Sequence, residues 1–298
     1  MRCDSGCLIW LFSVLIMAIS LPFYLSVVVV LIVRREQLNS TFFSLSISIG
    51  LADLLAIVLR LFLPFIAVLW RLHPYLVAFF PTEAYQTVTM MVGWSTYYPQ
   101  VFGIVVLSVN RLFTLWRPDD AEMLWTATVT KFVVTLQWLT LFPFSLPQLH
   151  TCCRSTFYNV TGGPKFVDPQ VTVIFYAIDI FIELCILTPL LIVVHLIMLK
   201  KVIKHNKAVY PILENNPHLT TANVRMEMRF AALGAVLCGL YLYLTGNYLV
   251  ILIVGSYGYY QSVLKFLVQT LFTVVNPYLL IAFGTKFRLI YFETVKCW

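Results

Sequence analysis

The stretch LIWLFSVLIMAISLPFYLSVVVVLIVRR, from Leu8 to Arg35, decides the fold. Residues 8–33 carry no charged side chain, and the run stops abruptly at Arg34 and Arg35. About 20 apolar residues are enough for a helix to cross the hydrocarbon core of a bilayer. Lipid cannot satisfy backbone N–H and C=O groups, so such a run must be helical. The run is also longer than the roughly 7–15 residues of a cleaved signal sequence, and no small-x-small site ends it. It therefore reads as a retained signal anchor.

Six further apolar stretches follow, at roughly 41–70, 85–113, 124–149, 171–199, 228–254 and 261–283. The loops between them are too short for another folded unit. The expected architecture is all-α: a single seven-transmembrane helix bundle over residues 1–298, closed by a short amphipathic helix at 284–296. Composition agrees, with 60% hydrophobic and only 11% charged residues and a mean hydropathy of +0.88. A soluble domain of this size needs far more charge on its surface.

Charge sets the orientation. Arg34 and Arg35 follow span 1, and Arg117 and Lys131 follow span 3. Lys200, Lys201, Lys204, Lys207, Arg225 and Arg229 lie between spans 5 and 6, and Lys286, Arg288 and Lys296 follow span 7. The other side has only Arg2, Arg71, Arg154 and Lys165. The positive-inside rule then puts the N-terminus outside and the C-terminus in the cytosol. The net charge of +7 is this bias, together with a basic face toward anionic lipid. It gives no reason to invoke nucleic acid.

Cys3, Cys7, Cys152 and Cys153 fall on the predicted outer side, where disulfides persist. A bridge from the N-terminus to the loop after span 4 is compatible with this, but the pairing stays open. Asn159-Val160-Thr161 is a glycosylation sequon in that outer loop, whereas the sequon at Asn39 falls on the cytosolic side and should stay bare.

Charged residues inside the spans need partners or a water-filled cavity, because each costs about 2.5–3.5 kcal/mol at a helix centre. Asp53 and Arg60 share one face of span 2, about 10 Å apart along the axis, too far for a simple ion pair. Span 5 carries Asp179 and Glu183, and span 7 carries Lys265 near its outer end. Two readings stand side by side. Arg60 and Lys265 pair with Asp179 and Glu183 as inter-helix glue, or they face a ligand. The outer half of span 3, with Gly93, Trp94, Tyr97 and Tyr98, offers one aromatic face that serves either packing or a pocket wall. No nucleophile–base pair, metal-ligand cluster or cofactor motif is present in the sequence, so neither enzyme chemistry nor a metal site is expected.

Taken helix by helix, the chain resembles the rhodopsin-like G-protein-coupled receptors. Leu107-Ser108-Val109-Asn110-Arg111-Leu112, with Pro118 beyond it, is similar to the motif ending span 3, with Asn110 in place of an acid. Gly50 to Leu55 resembles the span 2 motif around a buried aspartate. Trp138 with Pro147, Pro189, and Val275-Asn276-Pro277-Tyr278 match landmarks of spans 4, 5 and 7. Gly284 to Phe292 resembles the helix lying along the inner leaflet. There are departures. Gln86 stands where a span 3 disulfide cysteine is usual, span 6 lacks its proline around Cys238, and Tyr278 directly follows Pro277. Thr270 and Gly93 exclude the opsin lysine and the amine-receptor aspartate.

The combination looks most like the nematode serpentine chemoreceptors, class V of the class gamma superfamily. That resemblance implies a chemosensory receptor for a small molecule, which an unpaired Arg60 would make anionic. It further implies a heterotrimeric G protein as partner and a plasma-membrane location, sensory cilia included. Asn110, Arg111, Asp53, Asn276 and Pro277 would carry activation and coupling, with Arg60, Gly93, Trp94, Tyr97, Tyr98 and Lys265 around the ligand. The rival readings are a seven-span ligand-gated channel of the insect odorant-receptor type and a small transporter. The channel needs a cytosolic N-terminus, and the transporter needs internal repeats that the prolines do not show.

Overall fold

In the computed structural model, residues 5–38, 40–72, 96–116, 123–145, 155–159, 162–166, 170, 174, 177–178, 181–213, 236, 238–243, 245–246 and 259–296 are described. The helices are α1 (Ser5–Val33), α2 (Thr41–Leu72), α3 (Tyr97–Trp116), α4 (Ala127–Leu139) and α5 (Thr188–Leu213). They continue as α6 (238–243), α7 (Tyr259–Phe283) and α8 (Thr285–Lys296). Each of α1–α7 falls within or across the correspondingly numbered span. Among the described residues, three helical stretches are long and apolar enough to cross a bilayer: Leu11–Val33, Thr41–Leu59 and Phe181–Lys201. Leu267–Ala282 reaches that standard together with Phe287–Lys296, from which it is bent by 92°.

The helices leave many large apolar side chains open to their surroundings. Leu11, Leu15, Ile19 and Leu25 of α1, Phe132 of α4, and Phe181, Val193 and Leu196 at α5 and its approach are each at least half exposed. So many exposed apolar side chains would be a liability in water, but they match a hydrocarbon solvent. The inward faces pack α1 on α2 and α7, and α3 on α2, α4 and α5. Tyr97, Val101, Ile104 and Val105 of α3 form one core cluster with Leu191, Tyr241, Val268 and Phe272, which come from α5, α6 and α7.

Three local features differ from a plain reading of the spans. The fourth span is not one helix over 124–149. It starts at Ala127, where the Thr126 hydroxyl accepts from Val129 N at 3.3 Å, and it breaks at Thr140 and Leu141. Pro143 lacks the N–H that would bond the carbonyl of Leu139, so the chain restarts as a short turn, Phe142–Ser145. Similarly, Pro189 leaves the Cys185 carbonyl without its i+4 donor. The preceding Phe181–Leu187 is a π-helical turn, and the helix then runs on to Leu213, beyond the apolar window. The loop after the fourth span contains an antiparallel hairpin of β1 (Ser155–Asn159) and β2 (Gly162–Phe166), with Asn159 opposite Gly162.

Candidate functional site

Asp53 is fully buried on α2 and collects hydrogen bonds from three other helices. The Tyr24 hydroxyl of α1 donates to Oδ2, Asn276 Nδ2 of α7 donates to the same oxygen at 2.8 Å, and Gln100 Nε2 of α3 donates to Oδ1 at 2.7 Å. Hydrogen bonds to a charged group are worth about 1.5–3 kcal/mol each. Three of them more than offset the roughly 2.5–3.5 kcal/mol of placing a carboxylate at a membrane helix centre. The node therefore ties α1, α2, α3 and α7 at one depth. Gly50 makes room for it, since a Cβ there would lie 2.8 Å from Val28 Cγ2 and 3.5 Å from the Tyr24 ring.

A second polar cluster fixes α4 against the same helices. Ser48 donates to Gln137 Oε1 at 2.8 Å and accepts from Trp138 Nε1 at 3.1 Å, while Gln137 Nε2 donates to the Pro99 carbonyl at 2.9 Å. Gln137 reaches α3 only because residue 103 is glycine. A Cβ at Gly103 would stand 2.7 Å from Gln137 Nε2 and 2.5 Å from Ile49.

The basic end is built from α3, α2, α5, α8 and α1. Asn110 is buried, and its carbonyl accepts from Thr114 Oγ1 at 2.8 Å. The Arg111 guanidinium carbon lies 3.5 Å above the Phe42 ring of α2. Lys201 Nζ of α5 donates to the Trp116 carbonyl at 3.3 Å, a cation at the negative end of α3. Arg34 Nε donates to Thr294 Oγ1 at 3.1 Å, and Ser26 Oγ sits 2.8 Å from the Tyr291 hydroxyl, so α8 is fastened to α1. Tyr278, next to Pro277, turns outward to stack on Phe23 at 4.6 Å and to meet Ser20 Oγ at 3.0 Å.

The structure thus brings Asp53 and Asn276 into contact and sets Arg111 at the basic end. Tyr97 and Tyr98 are each 5% exposed, with Tyr97 facing Phe272 at 6.5 Å between ring centroids. Glu183 is fully buried in the π-helical turn. Gly93, Trp94, Asp179, Cys3, Cys152 and Cys153 lie outside the described residues, as do the side chains of Cys7, Arg60, Asn159 and Lys265. Sequence reasoning missed Tyr24, Gln100 and Phe42. For Gln100 the signal was present: an amide in the middle of an apolar span needs a partner as surely as a charge does.

Apolar helices tied by a buried polar node, with a basic end closed by a tail helix bent away from α7, define a multi-pass helical membrane protein. The profile of the family described as "Serpentine type 7TM GPCR chemoreceptor Srv" matches residues 13–297. The chain belongs to this serpentine seven-transmembrane chemoreceptor family. A relative, serpentine receptor class V-1 of Caenorhabditis elegans, is 29% identical over 161 residues, 52% of this chain and 50% of the relative. The match spans about half the length of that curated relative.

Proposed function

We propose that the chain is a chemosensory receptor that binds a small molecule in the outer half of its bundle and couples to a heterotrimeric G protein at its basic, cytosolic end. The observation that supports this reading best is the Asp53 node. It joins the helices that would line an outer pocket to α3, whose far end carries Arg111. A ligand shifts such a bundle between two packings only by its difference in affinity for them. Arg60, Gly93, Trp94, Tyr97, Tyr98 and Lys265 are the proposed ligand residues, with an anionic or hydrogen-bond-accepting compound suited to Arg60. Asn110, Arg111, Asp53, Asn276 and Pro277 are the proposed activation residues. The proposed unit is one receptor domain in the plasma membrane with its N-terminus outside.

The test is a screen of small anionic and neutral compounds against the expressed receptor, with a calcium or cyclic-nucleotide readout. Arg111→Ala should abolish responses while surface expression holds, and Arg60→Ala should remove responses to acids only. An Arg111→Ala receptor that responds like the parent at equal expression overturns the coupling reading. Orientation is checked separately. Sugar on Asn159, at the end of β1, gives a mobility shift that Asn159→Gln removes, whereas a glycan on Asn39 reverses the topology.

A further inference from the structure

The residue before Arg111 is Asn110, so that position supplies no carboxylate. The guanidinium faces a ring. Its carbon lies 3.5 Å over the Phe42 centroid, well inside the roughly 6 Å reach of a cation–π contact. Phe42 stands in the first turn of α2 and meets Phe43 edge-on at 5.2 Å. Phe43 lies 6.3 Å from Phe287 of α8, and Phe287 lies 5.9 Å from Tyr291, whose hydroxyl touches Ser26 of α1. A continuous aromatic run therefore joins Arg111 to the tail helix. A guanidinium suits such a site, because it is planar and less tightly hydrated than an ammonium.

We propose that Phe42 is a positioning residue, and that its π face clasps Arg111 and holds the basic end of α3 against α2 in the resting receptor. A single cation–π contact is a modest attraction. The clasp is correspondingly mild, and its loss should shift the balance of packed and open forms about tenfold. Arg111 leaves the ring when a partner engages the basic end. Only this last step rests on the G-protein reading above; the clasp itself does not.

The experiment compares the full chain in lipid nanodiscs with Phe42→Leu, Phe42→Trp and a receptor carrying pentafluorophenylalanine at position 42. The fluorinated ring keeps the shape and reverses the quadrupole, so it remains informative even where Phe42→Leu folds poorly. Amide hydrogen exchange at residues 110–116 reports the clasp, and basal second-messenger output reports its consequence. Exchange should rise about tenfold in the Leu and fluorinated forms and stay at the parent level in Phe42→Trp. Faster exchange with unchanged basal output upholds the clasp and counts against G-protein coupling. A fluorinated receptor that exchanges like the parent overturns the proposal, because ring volume alone would then explain the contact.

Discussion

The Asp53 node and the Arg111 end hold a charge in the same bundle by opposite chemistry. At Asp53, three donors aim at two oxygens, and each bond fixes the rotation and height of one helix. At Arg111, a flat cation lies on a flat ring, an attraction that falls off gently when the two slide. Directional bonds make a hub that resists repacking. A face-to-face contact makes an edge that yields. A receptor needs both, since two discrete packings require a fixed part for the other to move against.

The contrast can be broken most forcefully at the hub. Asp53→Leu strands the Tyr24, Gln100 and Asn276 donors, each costing about 1–3 kcal/mol. The expected outcome is loss of surface expression or a collapse of Tm in detergent; a Leu form as stable as the parent would show that the node is not the hub. Asp53→Asn keeps an acceptor and should recover most of the loss. Next comes Gly103→Val, which drives a side chain into Ile49 and Gln137 and should cost about 1–3 kcal/mol by overpacking. Thermal melts of the purified receptor read it, and a neutral result would mean that α3 and α4 separate freely.

Tyr24→Phe removes one bond to a charged acceptor and should cost about 1.5–3 kcal/mol at most, measured the same way. The smallest effect is expected for Arg34→Ala. Its contact with Thr294 is only part-buried, so global stability should change by less than about 1 kcal/mol. Limited proteolysis should nonetheless cut α8 faster. An α8 that stays equally protected would assign its anchoring to Phe287 and Tyr291 alone.

The helical membrane fold was legible because lipid imposes one rule on every residue in a run, and the length of such runs then reads the fold. Asp53 and Asn276 were placed in one network by the resemblance of their two motifs to a known family, and Asn276 Nδ2 does donate to Asp53 at 2.8 Å. Their remaining partners were harder. Tyr24 sits in a span that also carries Ser20 and Ser26, and which of these turns inward depends on helix rotation, a property of the packed bundle. Phe42 carries no signal at all, since an aromatic near a membrane interface is ordinary. The β1–β2 hairpin was hidden by Gly162-Gly163-Pro164, residues that strands disfavour. The π-helical turn was hidden because Pro189 announces a disturbance but not its form.

The tight spot at Gly103 has a mechanical corollary. With Gln137 and Ile49 pressed against it, α3 is pinned at Gly103, nearer its Tyr97 end, and that point serves as a fulcrum for tilting. Arg111 lies eight residues further along, an arm of about 12 Å. A tilt of about 10° then swings the guanidinium by about 2 Å, enough to lift it off its ring while the pinned point barely stirs. Small rocking at the fulcrum is thereby turned into a much larger displacement at the end of the rod.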